Sequence, residues 1–190
     1  MKILHAISFS LLLTPALLHA QTEIPKGYQQ GTLVLGDNTQ LSGYIKDNMK
    51  RDAAVYFIAQ GTADKKQYSG SELKSVTING VQFACISGDF FKVICNGTLC
   101  FLQKQSDASG KVTYNGANAE FTSGTEGKPG DYFIYRPGDH SLQLVSKKNM
   151  ADVTATAFAG HTAALEQAKK AAGNPEALSE AVTIYNKAEK

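Results

Sequence analysis

The feature that most constrains this chain is a change of hydrophobic period. From Tyr28 to about Ser146 apolar residues alternate with polar ones in short runs punctuated by Gly, Asn and Asp; after Ser146 they recur every three to four residues. Period two with frequent turn residues specifies antiparallel strands, and a period near 3.6 specifies amphipathic helices. The sequence therefore predicts an α+β chain: a mainly antiparallel β meander forming a bent sheet or small barrel, followed by a C-terminal helical segment.

Individual runs locate the strands. "GTLVL" and "QLSGYIK" flank the turn "GDN", "AAVYFIA" is a third strand, and "KKQYSGSELKSVTI" leads into a strand closing at Ile78. Asn79-Gly80 and Asn96-Gly97 read as tight hairpin turns because both residue types tolerate positive φ. "VQFACI", "FFKVIC" and "TLCFLQKQ" continue the meander, and "DYFIYRP" with "SLQLVS" makes a last hairpin around Pro137-Gly138-Asp139. Between these lies 106–130, rich in Gly, Ser and Asn, which reads as a long surface excursion.

In the helical part, Asn149 is placed to cap a first helix with Met150, Val153, Ala157 and Phe158 on one face, ended by Gly160. A second helix carries the thin stripe Ala164, Leu165, Ala168 and Ala172. A third opens with Asn174 as cap and Pro175 at its first position, and buries Leu178, Ala181, Val182 and Tyr185. The expected organisation is a 1–20 signal peptide, a 21–148 β-rich domain and 149–190 helices packed on it.

The signal peptide is read from "MKILHAISFSLLLTPALLHA", with one early charge at Lys2, an apolar run broken by Pro15 and small Ala20 before polar "QTEIPKGY". The run is shorter than the roughly 20 residues of a membrane span. The expected product is exported, periplasmic or extracellular, with no transmembrane anchor in the mature chain. Lys2 leaves with the peptide, so the 19 basic and 17 acidic side chains become 18 and 17, with the signs interspersed. A nucleic-acid partner would need a clustered basic face, which the pattern does not offer. Lys65-Lys66 and Lys147-Lys148 read as solvated turn residues.

All three cysteines lie between Cys85 and Cys100. If Ser87-Gly88-Asp89 is a three-residue turn, Cys85 faces Phe91, and Val93 opposes Cys100 across Asn96-Gly97, so all three sulfurs share one apolar side. That favours buried free thiols. A Cys95–Cys100 disulfide is the alternative, since the mature chain is expected in an oxidising compartment. Neither a structural metal nor a nucleophilic thiol has the neighbours it needs, so no metal, cofactor or catalytic residue is assigned.

Chemistry elsewhere is sparse. His140 and His161, the only histidines beyond the expected signal, sit in a turn and at a helix start; Asp89, Asp131 and Asp139 adjoin glycines, where Asp serves turn geometry. No nucleophile elbow, phosphate-cradling loop or dinucleotide fingerprint occurs. Asn96 heads a formal glycosylation sequon, which turn chemistry explains equally. Aromatic residues are the one suggestive cluster: Tyr132, Phe133 and Tyr135 late in the chain, Tyr44, Tyr56 and Phe57 earlier. Alternation puts Phe133 and Tyr135 on one side and Tyr132 with Ile134 on the other. Tyr132, Tyr135 and His140 are the candidate ligand-binding residues.

The succession "GTLVLGDNTQLSGYI", "VYFIAQ", "KQYSGSELKSVTING", "FFKVICNGTLCFLQ" and "DYFIYRPGDHSLQLV" resembles a pattern in uncharacterised exported β-rich proteins of Bacteroidota. It shares the step L-x-G-x-I at Leu41, Gly43 and Ile45, Tyr68-Ser69 before an acidic residue, and Phe90-Phe91-Lys92-Val93-Ile94. The resemblance implies fold and export and carries no catalytic residues. The leading functional expectation is an exported, non-catalytic binding or envelope-associated module whose partner is an envelope protein or glycan. The alternative is a small hydrolase of an envelope or extracellular polymer, built on Asp131 or Asp139 with His140. A third reading makes the helical tail a docking arm.

Overall fold

A computed structural model describes residues 24–110, 112–115, 118–121 and 124–189; the expected signal peptide lies outside them. Among these residues ten strands form one antiparallel sheet in the order β12-β11-β8-β7-β6-β5-β1-β2-β3-β4, open at both ends, and β9 (Val112–Asn115) pairs with β10 (Asn118–Phe121) separately. The sheet comprises β1 (Gln29–Leu35), β2 (Gln40–Asn48), β3 (Ala54–Ala59), β4 (Lys65–Ser69), β5 (Leu73–Ile78), β6 (Val81–Ile86), β7 (Asp89–Cys95), β8 (Cys100–Lys104), β11 (Tyr132–Arg136) and β12 (Ser141–Val145). A one-turn helix, α1 (Met49–Asp52), joins β2 to β3, and α2 (Met150–Ala157), α3 (Thr162–Lys170) and α4 (Ser179–Ala188) follow the last strand.

The sheet has two halves. From β1 to β6 it curls until Gly70, beyond the β4 edge, makes an isolated antiparallel bridge to Gly88 in the β6–β7 turn. The bend is built at Gly31 and Gly43, which face each other across β1 and β2. A Cβ on Gly31 would sit 2.3 Å from the Thr77 carbonyl oxygen, and one on Gly43 2.2 Å from that of Ile58, so only glycine lets adjacent backbones come this close. Inside the curl Leu33, Ile45, Val55, Val76 and Phe90 are fully buried.

The other half, β7, β8, β11 and β12, is covered on both faces, and β8 is buried along almost its whole length. Phe101, Ile134 and Val145 pack against the helices, where Phe158, Leu178, Ala181 and Val182 are fully buried. Burial of Leu178 or Val182 contributes about 1.5–3 kcal/mol each. The stripes of α2 and α4 thus meet the sheet, while that of α3 packs on the other helices.

Three turns differ from expectation, each for a stated cause. Ser87 and Gly88 form a two-residue turn with φ of 49° and 84°, so Ile86 pairs with Asp89 and Cys85 with Phe90 rather than Phe91. A one-residue slip exchanges the faces, placing Cys85 in the curled core and Phe91 outside it. Asn96-Gly97 is not a tight turn: Cys95 pairs with Phe101 after a bulge following Val93. There Asn186 of α4 accepts from Leu99 N (3.0 Å) and donates to Leu99 O (2.8 Å), supplying the pairing a second strand would give. Asn149 precedes α2 without capping it; its side chain accepts from Ser146 N and donates to Leu144 O, sealing the end of edge strand β12.

Candidate functional site

The 105–131 excursion is anchored by a buried ion pair. Asp89 and Lys104 are fully buried on the outer face of β7 and β8, 3.1 Å apart. The Asp89 carboxylate accepts from Ser106 Oγ (2.9 Å), Ala108 N (2.8 Å), Thr125 N (2.8 Å) and Thr125 Oγ1 (2.7 Å). The Lys104 ammonium donates to the carbonyls of Thr125, Glu126 and Gly127. Two desolvated charges are tolerable only with their bonding capacity filled in this way. Asp89 is therefore no turn residue, and Ser106 and Ala108 are buried rather than parts of a free surface loop. The network binds protein groups alone, and its position makes it structural.

The sequence-derived candidates do not form one site. Tyr132 lies on the helix side, stacked on Phe101 with ring centroids 5.4 Å apart. Tyr135 lies on the outer face, its hydroxyl 3.4 Å from His140 Nδ1. Burial raises both phenol pKa values, with a smaller contribution from Glu176 at Tyr132 and from Cys100 and then Asp139 at Tyr135. The structure thus brings Tyr135 to His140 and leaves Tyr132 across the sheet.

The hydrolase candidates are also dispersed. Asp131 precedes β11 and accepts from Lys128 N, while Asp139 follows it and accepts from Ser141 N. The five-residue strand between them spans roughly 17 Å. His161 is not a solvated helix start: its Nε2 is 3.0 Å from Glu189 Oε1 and its ring packs on Tyr185.

All three thiols are free. The bulge in β7 turns Cys95 toward α4, where its Sγ meets Ser179 O at 3.3 Å, while Cys100 faces the opposite side with Asn96 and Gly97. The single apolar side expected for the three sulfurs is therefore split, and the pair considered for a disulfide is on opposite faces. Burial raises the Cys85 pKa far above its ordinary value and raises that of Cys100 less. No group of three or more His, Cys, Asp or Glu side chains among the described residues could hold a metal ion.

The built concavity lies elsewhere, on the curled half. A groove of about 300 Å³ is lined by Gln30, Gly31, Thr32, Ser42, Gly43, Tyr44, Gln60, Asn79 and Gly80. Because Leu33 and Ile45 point inward, alternation turns Gln30, Thr32, Ser42 and Tyr44 outward. Register sets Gln30 beside Tyr44 and Thr32 beside Ser42. Asn79 and Gly80, at φ of 48° and 80°, close one end as a two-residue turn, as their types predict.

No lining residue is charged. Three carboxamides and three hydroxyls offer both donors and acceptors, the Tyr44 ring adds an apolar surface, and the glycines give access to backbone. Of these residues only Tyr44 stood out from sequence. The available signal was Gly inside two strands, in "QGT" and "SGY", which marks a bend or a close approach.

No helix among the described residues is long and apolar enough to cross a membrane. No protein-family model, curated protein or solved structure matches the chain.

Proposed function

We propose that this chain is an exported, non-catalytic binding module whose β1–β2 groove takes a neutral, hydroxyl-rich ligand, an envelope or extracellular glycan. The observation that carries the reading is the groove's chemistry. It has many paired donor and acceptor groups and an aromatic face, and no carboxylate, imidazole or ammonium. Sugar hydroxyls match carboxamides in both donating and accepting, and a pyranose face matches a phenol ring. Export is supported by the apolar N-terminal run ending at Ala20. The hydrolase reading rests on Asp131 or Asp139 with His140; Asp131 accepts from Lys128 N, Asp139 from Ser141 N, and the His140 ring meets the Tyr135 hydroxyl, which favours turn geometry over a shared cleft.

The test is titration of residues 21–190 against a panel of neutral and acidic oligosaccharides, repeated with Tyr44→Ala and with Tyr135→Ala. Saturable binding of a neutral member, weakened at least tenfold by Tyr44→Ala and unchanged by Tyr135→Ala, supports the groove. Binding indifferent to Tyr44→Ala, no binding by any neutral member, or release of new reducing ends overturns the proposal.

A further inference from the structure

Helices α2 and α3 leave a second cavity between them, remote in sequence from the β1–β2 groove. About 350 Å³ of space opens there, with Met150, Leu165 and Ala168 on its floor, exposed Ala151 on its wall, and Lys147 and Lys169 at its rim. The slot exists because the facing residues are small: Ala151, Ala155 and Ala168 do not fill the space that larger side chains would occupy. At its end Gly173 adopts a φ of +83° and lies against the Lys147 side chain.

The polar groups of this slot are divided unequally. Thr154 is the floor's one hydroxyl, and it donates to the carbonyls of Met150 and Ala151, leaving an apolar surface. At the rim Lys169 pairs with Glu166 at 2.7 Å. Lys147 has no ion-pair partner among the described residues. An apolar trough with the Lys147 ammonium at its mouth matches an apolar chain ending in an anion.

We infer that the α2–α3 slot binds a single-chain anionic amphiphile, an alkyl carboxylate, with the chain along Met150, Leu165 and Ala168 and the carboxylate at Lys147. Charge complementarity at the rim separates this occupant from a purely apolar one.

The probe is dodecanoate below its micelle concentration, compared with dodecan-1-ol, on residues 21–190. Binding is followed by calorimetry and by the Met150 methyl NMR signal. The expected result is one saturable site that shifts Met150, at least tenfold tighter for the acid than for the alcohol. Lys147→Gln should weaken dodecanoate about fivefold or more and leave dodecanol unchanged. Ala151→Phe, at an exposed position compatible with folding, should fill the slot and abolish both. Equal affinity for acid and alcohol, binding that survives Ala151→Phe, shifts confined to other regions, or association with anionic vesicles but not with monomeric dodecanoate would each overturn the inference.

Discussion

The two halves of the sheet solve the same problem by opposite means. The curled half, β1 to β6, encloses its apolar side chains with its own backbone, bending at Gly31 and Gly43 until Gly70 meets Gly88. The half made of β7, β8, β11 and β12 relies on other segments, helices on one face and, on the other, the stretch around Gly127, which lies against Phe133 and Leu144. Its covering therefore depends on polar fastenings between distant residues: Asp89 with Lys104, Ser106 and Thr125, and Asn186 with Leu99. Even the two edges differ. Strand β4 begins with exposed Lys65-Lys66, which discourages strand addition, whereas β12 is sealed at one end by Asn149 on the Leu144 carbonyl. A sheet that closes on itself needs small residues at its bends; one that stays open needs specific side chains to hold its covers.

The contrast can be broken most severely at the ion pair. Asp89→Ala leaves Lys104 buried without its anion and two backbone amides without an acceptor, a loss of about 3–5 kcal/mol, or roughly 6–20 °C in Tm. Hydrogen exchange should then show early opening of 104–110 and 124–131 while β1 to β5 remain protected. Uniform loss across both halves would show that they do not differ in the way described.

A smaller effect is expected in the curled half. Gly43→Ala forces a Cβ against the Ile58 carbonyl and the Phe57 ring and should cost about 1–3 kcal/mol, with protection falling first in β1 to β3 and the helices unaffected. The smallest effect concerns pH. The Cys85 thiol is half-buried against the apolar residues of the curled core, and its folded pKa is raised by desolvation from an ordinary value near 9.0. A raised folded pKa means that the unfolded chain releases the proton first. The contribution is complete below pH 9 and is lost as pH rises above it, by at most about 1.4 kcal/mol per pH unit. Cys85→Val should flatten the alkaline side of a stability-against-pH curve, and an unchanged slope would mean that the thiol does not contribute.

What the sequence disclosed follows the range of the interactions involved. Asn79-Gly80 and the alternation of Phe133 with Tyr135 are local, and both are as read. The α4 stripe Leu178, Ala181, Val182 and Tyr185 is buried as its period requires. Asn96-Gly97 misled because the loop is held at Leu99 by Asn186, 87 residues on, and no local rule refers to it. Asp89 beside Gly88 has the composition of a turn; only the register of β7 against β8 shows that its carboxylate points at Lys104. The β1–β2 groove was hidden for a related reason: Gln30, Thr32 and Ser42 are ordinary outward residues until strand pairing assembles them.

The Asn186 carboxamide on Leu99 also sets a schedule. Proteins are made from the N-terminus, and this contact joins Leu99 to a residue made 87 positions later. The curled half can close once Gly88 has emerged, whereas the β7–β8 loop must wait until α4 has been made. Until then the helix-facing side of β8, with Phe101 at its centre, stays uncovered. A cut just before Asn186 would therefore be felt at the middle of the sheet, far from the cut in sequence.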